Sequence, residues 1–566
     1  MAEFKCIKDP IYGYVRIPVK VIDNYVNAPL FQRLRFVNQA GYTALFPSST
    51  HNRFVHSIGV YYLGRHVSHS VKSALSNDMK EKWKDYFCLF ELACLLHDVG
   101  HAPFSHTGEG FYLPKKDDYS DIHSQLAESI SDDSSIVSKL KAEFADIEKK
   151  AKSAKPHELM SAIVGIRDFL RFQGDFVEAR HFDFFARAIA GYEYTDASAL
   201  KPGDGSLADL SFANALISLL NSAVVDVDKL DYLLRDAYLL GFDTVRVDYQ
   251  RLVNCVTIEL VGAKHEVVFG KNAVSVLENV VYGRDAERKW LQGHPIVLYE
   301  ADLLKQAIVE TLQTYSLKPT DLFCYEALSS SGAVKVAGAP VRYLCDADLL
   351  FWMKSCGGAK ALQYFDRTKW YKPIWKSEFE FRSIFSVEDW TQKQIDCLFV
   401  ALSCLKEYVG ALNGGSGWLD EDVIVKGRAD LESLRAMPTS AEPMWKLNAD
   451  GHALLLDLIG VFKRIADEFH VKFKFAIVEN KTFCSGFSTD DLKRIWVKLH
   501  EGASPVSFGR TLTSEKEPSD SLFYLFSEER FSDDAHVAET LSQILNDFVR
   551  NKKELIQKYS ELFQSR

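Results

Sequence analysis

The segment His97-Asp98-Val99-Gly100-His101-Ala102-Pro103-Phe104-Ser105-His106 decides how the rest of this chain is read. An adjacent His-Asp pair offers one metal ion an imidazole nitrogen and a carboxylate oxygen from consecutive positions. Just before it, Phe87 to Leu96 is apolar nearly all round, interrupted only by Glu91, which predicts a buried central helix. Gly100 is read as the break of that helix, so that His97, Asp98, His101 and His106 gather at one helix end.

Two other clusters work outward from this segment. His51-Asn52-Arg53-Phe54-Val55-His56 lies upstream and Asp226-Val227-Asp228-Lys229 downstream. The three together read as a phosphohydrolase site with one or two metal ions. His56, His97, Asp98 and Asp228 are the candidate metal ligands. Two imidazoles and two carboxylates suit Mn, Fe, Co, Ni or Zn, alone or with Mg, better than they suit an all-oxygen magnesium cage. A lone His-Asp dipeptide is more often a satisfied buried histidine beside a capping aspartate. The neighbouring histidines and the apolar helix shift the balance towards ligands.

His101, His106 and His123 exceed what a four-ligand metal needs. His106 and Glu109 are spaced to share a helix face, and a carboxylate beside an imidazole fixes its tautomer and raises its pKa. That predicts a proton donor working near neutral pH, with an ordinary surface pair as the alternative. Arg53, Lys229, Tyr232 and Arg284 are candidates for phosphate contacts; taken singly, each is more often a solvated side chain.

The chain has 566 residues, of which 47% are hydrophobic and 25% charged, the balance of an ordinary globular protein of about two to four folding units. A net charge of -10 argues against sequence-independent nucleic-acid binding by the whole chain. Ten scattered cysteines form neither a disulfide framework nor a zinc ribbon, which points to a reducing, cytoplasmic setting. Met1 to Lys5 carries no secretory pattern, and Phe87 to Leu96 is too short to span a bilayer, so no membrane partner is expected.

Around Pro10 and Gly13 a hairpin or extended arm is expected, followed by mostly helical sequence from Leu30 to Leu240. Ser131 to Lys155 reads as a solvated helix, with a lid as the alternative. Leu252 to Phe269, turning at Gly262, reads as a second hairpin, and Asn272 to Leu312 as helix. Beyond Thr320 a mixed α+β region is expected. It has breaks at residues 413–417 and 438–443, strands at Val471 to Val478 and Leu522 to Phe526, and a terminal helix at Asp534 to Phe563.

A family resemblance rests on particular runs: Lys8-Asp9-Pro10-Ile11-Tyr12-Gly13, Phe31-Gln32-Arg33-Leu34-Arg35, Phe46-Pro47, His51 to Gly59, His97 to His106, and Asp226-Val227-Asp228-Lys229-Leu230-Asp231-Tyr232. In order and combination these resemble the HD-domain phosphohydrolases, in the branch of deoxynucleoside triphosphate triphosphohydrolases. The resemblance implies a mainly α protein: a helical HD-type catalytic core over residues 1–320, and a C-terminal α+β accessory or oligomerisation region over 321–566. It implies metal ligation by His56, His97, Asp98 and Asp228, and triphosphate contacts from Arg53, Lys229, Tyr232 and Arg284. His101, His106 and His123 would line the α-phosphate, with His106 and Glu109 as a catalytic dyad, and Gln39 would sit near the sugar.

The implied reaction is attack of a metal-bound hydroxide on the α-phosphorus of a dNTP, releasing deoxynucleoside and tripolyphosphate. A homo-oligomer, dimer to hexamer, and a nucleotide activator are implied partners. The sequence departs from the family pattern at Ala40 after Gln39, at Trp290 and Gln292 before His294, and at Asn27, where nucleotide-regulated members carry aspartate. No sterile-alpha-motif domain is recognised before the core. The competing expectations are an HD-type nucleotide phosphodiesterase, phosphomonoesterase or single-strand nuclease, and a nucleotide-binding regulatory protein with a vestigial site.

Overall fold

The computed structural model describes residues 3–115, 118–149, 154–195, 206–223, 225–242, 246–356, 358–377, 380–381, 384, 391–412, 418–421, 449–480, 494–498, 504–507, 522–531 and 537–564. The expected breaks at 413–417 and 438–443 lie outside the described residues. The chain divides into two compact units: one of Met1–Glu287, Leu312–Ser355 and Gly486–Lys516, the other of Arg288–Thr311, Cys356–Ser485 and Glu517–Arg566.

The first unit opens with an antiparallel hairpin, β1 (Phe4–Asp9) and β2 (Gly13–Pro18). Gly13 takes the left-handed backbone at φ 75° that the tight turn demands. Val15 and Ile17 alternate inward and are buried. The helical core follows. Helix α1 (Arg53–Ala74) starts where the Asn52 side chain accepts the Val55 N–H at 3.3 Å. Helix α2 (Lys84–Leu96) is the expected central helix, with Phe87, Leu89, Phe90, Ala93, Cys94, Leu95 and Leu96 all buried.

Next come α3 (Ser120–Ile130), α4 (Ser134–Lys149), α5 (Pro156–Val164), α6 (Ala179–Ala190), α7 (Leu207–Leu220) and α8 (Val227–Leu240). α1 packs on both α2 and α8, which brings three widely separated segments to one place. The polar stretch around residue 140 is a helix, as expected, but one with a buried stripe: Leu140, Glu143 and Phe144 face inward, and Glu143 meets the buried Arg187 of α6 at 3.0 Å. Its amphipathic spacing, not its charge content, decides its placement.

The second expected hairpin is β3 (Val256–Val261) and β4 (Lys264–Gly270), turning at Gly262 with φ 65°. It belongs to a larger sheet than its sequence showed, because Trp496–Lys498 pairs in parallel with β4 and Val506–Ser507 pairs with Trp496–Lys498. Helix α9 (Val274–Glu287) follows β4.

The second unit is α+β. Helices Gln392–Leu412, Ala449–Glu468 and Val537–Gln564 pack together beside a four-stranded sheet. Its strands run in the order Lys372–Pro373, Leu522–Ser527, Lys474–Asn480, Trp418–Asp420. Phe475, Ile477, Phe523 and Leu525 are its buried core. The molecule is mainly α, and among the described residues no helix is long and apolar enough to cross a membrane.

Candidate metal centre and histidine pocket

His56 leaves α1 on the buried side, His97 caps the end of α2, Asp98 follows it, and Asp228 stands in the first turn of α8. The two histidine Nε2 atoms lie 3.2 Å apart. Asp228 Oδ1 is 3.0 Å from His56 Nε2 and 3.5 Å from His97 Nε2. The Asp98 carboxylate comes within 3.6 Å of both. The outer ring nitrogens are spoken for: His56 Nδ1 donates to Asp231 Oδ2 at 2.7 Å and His97 Nδ1 to the Cys94 carbonyl at 3.0 Å. Each ring is thereby turned with Nε2 inward, the orientation that metal-ligating histidines take.

The electrostatics call for a cation. Burial opposes charge on His56, yet its hydrogen bonds to Asp228 and Asp231 and the Asp98 charge outweigh burial and push it up to about 9. His97 moves upward for the same reasons, against burial, through Asp98 and Asp228. Burial also opposes ionisation of Asp98, but Arg53, His97 and His56 hold it well below the usual carboxylate range. His56, His97 and Asp98 thus form a buried group able to hold one ion, with the part-exposed Asp228 carboxylate at 3.0 and 3.5 Å from the two Nε2 atoms, and this donor set fits a divalent transition metal.

Gly100 has a different task from the one expected. Helix α2 already ends at Leu96, and His97 keeps right-handed backbone. A Cβ at position 100 would stand 2.4 Å from the Met160 carbonyl carbon and the Ser161 nitrogen, so Gly100 lets α5 pass against the loop. Its N–H donates to Ser161 Oγ at 3.0 Å.

That passage places a second cluster beside the first. His101 and His157 stack at 4.1 Å, and His106 meets both edge-on at 5.3 Å. Glu109 accepts the His157 Nδ1 proton and lies 3.4 Å from His106 Nδ1. Both His101 ring nitrogens are buried without a hydrogen-bond partner, as is Gln39 Oε1. Burial, with Arg53 and His157 nearby, drives the His101 imidazole far down, so it is neutral.

The expectation for His106 is corrected: desolvation within the pocket outweighs Glu109 and holds this imidazole below its usual range, although 54% of the side chain is exposed. His106 and Glu109 do not share a helix face either; they sit on successive 3-10 turns, Ser105–Thr107 and Glu109–Tyr112.

His123 is the second correction. It belongs to α3, where Nε2 shares a hydrogen bond of 2.9 Å with Tyr192 Oη and Nδ1 lies 3.4 Å from Glu148. The histidine beside His101 and His106 is His157, which the sequence reading passed over. The signal was present in Lys155-Pro156-His157-Glu158, a helix start whose Glu158 accepts the Lys155 N–H at 2.7 Å. The long intervening segment hid it.

Arg53 joins the clusters. It donates to Asp98 Oδ2 at 2.8 Å, to Ser105 Oγ at 2.9 Å and to the Gln39 carbonyl at 3.0 Å. Lys229 holds Asp226, the N-cap of α8, at 2.6 Å. Tyr232 is pushed up to about 12 by burial, with Arg284 and Glu287 of α9 as charged neighbours. Arg284 donates to the Ala223 carbonyl at 3.3 Å.

Residues 53–164 match the model of the HD domain. The match spans His56, His97, Asp98 and the whole histidine pocket, while Asp228 comes from beyond it on α8. Over 269 residues the chain is 30% identical to the deoxynucleoside triphosphate triphosphohydrolase SAMHD1 of Danio rerio, covering 46% of this chain and 38% of that protein. The protein of that name from Homo sapiens is 26% identical over 295 residues, covering 52% and 42%. An uncharacterized protein of Mycoplasma genitalium, MG461, is 29% identical over 283 residues, covering 49% and 53%. The chain thus spans about half or less of the length of these relatives. The resemblance to triphosphohydrolases reaches beyond the HD domain but leaves much of either chain unmatched.

Proposed function

We propose that this protein is a metal-dependent phosphohydrolase that cleaves deoxynucleoside triphosphates to deoxynucleoside and tripolyphosphate. The observation that carries the reading is the convergence of His56 and His97 Nε2 with Asp98 and Asp228 next to the His101–His106–His157–Glu109 pocket. Its relatives named as triphosphohydrolases supply the substrate class. The same proposal assigns the catalytic role to the unit of Met1–Glu287, Leu312–Ser355 and Gly486–Lys516, in place of the continuous stretch 1–320 with 321–566 as an accessory region that the sequence suggested.

His56, His97, Asp98 and Asp228 would hold the divalent ion, which when bound offsets phosphate charge and lowers the pKa of a water molecule. The rest falls to the chain itself. Arg53, buried and already braced on Asp98, has guanidinium N–H groups to spare for a phosphate oxygen. Lys229, Tyr232 and Arg284 lie on the Asp228 side and serve the remaining phosphates. His101, neutral and unpartnered, donates to an α-phosphate oxygen. As the bond between the α-phosphorus and the 5′-oxygen breaks, that oxygen takes its proton from His106 Nε2. Glu109 steadies His106 through Nδ1 and holds His157 beside it. A proton donor that is neutral in the free protein gains its proton when the triphosphate brings negative charge into the pocket. Gln39, with a buried unpartnered Oε1, faces the task of reading the sugar.

The test is incubation of the protein with Mn, Mg or Co and the dNTPs and NTPs, singly and mixed, with products separated by chromatography. Nucleoside plus tripolyphosphate is expected from dNTPs, and Asp98→Ala abolishes it. Orthophosphate or pyrophosphate as the product rejects the proposal, and turnover only in the mixtures identifies a nucleotide activator.

A further inference from the structure

We propose that Tyr12, in the turn of the N-terminal hairpin, is a positioning residue for His56 and acts through Asp231. The inference rests on the metal-dependent reading of the site. Asp231 is completely buried, and four donors fix its carboxylate. Oδ1 accepts from Tyr12 Oη at 2.7 Å and Arg235 Nη2 at 2.9 Å. Oδ2 accepts from His56 Nδ1 at 2.7 Å and Arg235 Nε at 2.8 Å. Tyr12 is itself held: its ring stacks on Tyr62 at 4.7 Å and meets Tyr249 edge-on at 5.1 Å. Asp9 Oδ1 accepts the Ile11 and Tyr12 N–H groups at 2.8 and 3.0 Å, while Asp9 Oδ2 takes Arg235 Nη1 at 2.9 Å.

One guanidinium therefore ties the hairpin turn to α8, and one carboxylate ties the turn to His56. The assembly needs room that only glycine leaves: a Cβ on Gly59, one turn after His56 on α1, would stand 1.9 Å from Asp231 Oδ1. The hairpin turn thus becomes part of the metal centre although it touches no ligand atom. Outer carboxylates that hold a histidine ring commonly control its orientation and basicity towards metal. Without the Tyr12 hydroxyl, Asp231 keeps Arg235 on both oxygens but is free to turn with it, and the hold on His56 Nδ1 loosens.

The full-length chain, stripped of metal, is titrated with Co(II) while its visible absorption is followed. Wild type, His56→Ala, Tyr12→Phe and Tyr62→Phe are compared. Tyr62→Phe removes a hydroxyl from the same aromatic group, one that pairs with Tyr249 and not with Asp231. Tyr12→Phe is expected to bind Co(II) about ten- to a hundredfold more weakly with an altered absorption band, and Tyr62→Phe to match wild type. Wild-type affinity and spectrum in Tyr12→Phe overturn the inference. Equal losses in the two Tyr→Phe variants also overturn it, by assigning the effect to packing. If wild type takes up no Co(II), or His56→Ala binds as well as wild type, the metal reading itself falls and the inference falls with it.

Discussion

Glu109 stands between two imidazoles, and its consequence at the residue scale is a pH dependence. It raises the pKa of His106 against desolvation, so its removal lowers that pKa further. A general acid with a lower pKa loses its proton at lower pH. Glu109→Gln is therefore expected to cut kcat by about 10²- to 10⁴-fold and to move the basic limb of its pH profile to lower pH. Steady-state kinetics across pH reads both, and an unmoved limb separates Glu109 from His106. The two remaining histidines divide in the same spirit. His157→Ala removes the ring stacked on His101 and is expected to lower kcat. His123→Ala leaves Tyr192 and Glu148 without their buried partner, costs about 1–3 kcal/mol in urea unfolding and leaves kcat near wild type. The reverse pattern would return His123 to the site. His97, Asp98, His106 and Glu109 stood out because they lie within a few positions of one another, whereas His56 and Asp228 lie 41 residues before and 131 residues after His97 and were read from clusters of their own. His157 was not, since 51 residues from His106 only packing could say which histidine came back.

At the scale of elements, the site depends on how closely two backbones approach. Gly100 lies against the Met160–Ser161 backbone, and neither side can yield by rotating a side chain. Gly100→Ala is expected to cost about 1–3 kcal/mol, the usual penalty of overpacking, read as a lowered urea midpoint. A wild-type midpoint would mean that the loop relaxes freely. Sequence pattern located α2, both hairpins and the two principal strands of the second unit, because apolar periodicity and turn glycines act locally. It misjudged α4, whose buried stripe is sparse, and it missed Trp496–Lys498, which joins β4 from more than 200 residues away.

At the scale of the whole molecule, the unit that holds the candidate site is not a continuous stretch. Arg33 donates to the Leu344 carbonyl at 2.6 Å and to the His101 carbonyl at 2.7 Å. The buried Asp346 accepts the N–H groups of Asn38 at 3.0 Å and Phe104 at 2.7 Å. Phe104 and Ser105 both take left-handed backbone, φ 58° and 52°, just before His106. Two such residues in succession are strained, and the carboxylate from residue 346 is what holds them. A chain ending at residue 320 is expected to lose metal uptake and turnover, because it lacks these acceptors. Full activity in that truncation would show that the brace is dispensable.

The amino-acid sequence alone determined the central helix, the two hairpins and the His97-Asp98 run at the heart of the candidate site. Those rest on adjacent residue types and short spacings, which the chain carries wherever it folds. Only the tertiary structure decided that His157 rather than His123 completes the pocket. It alone joined Tyr12 to His56 through Asp231, and Asp346 to the loop before His106. Each of these is a contact between distant segments, set by which helix faces pack and by how close a glycine lets them come.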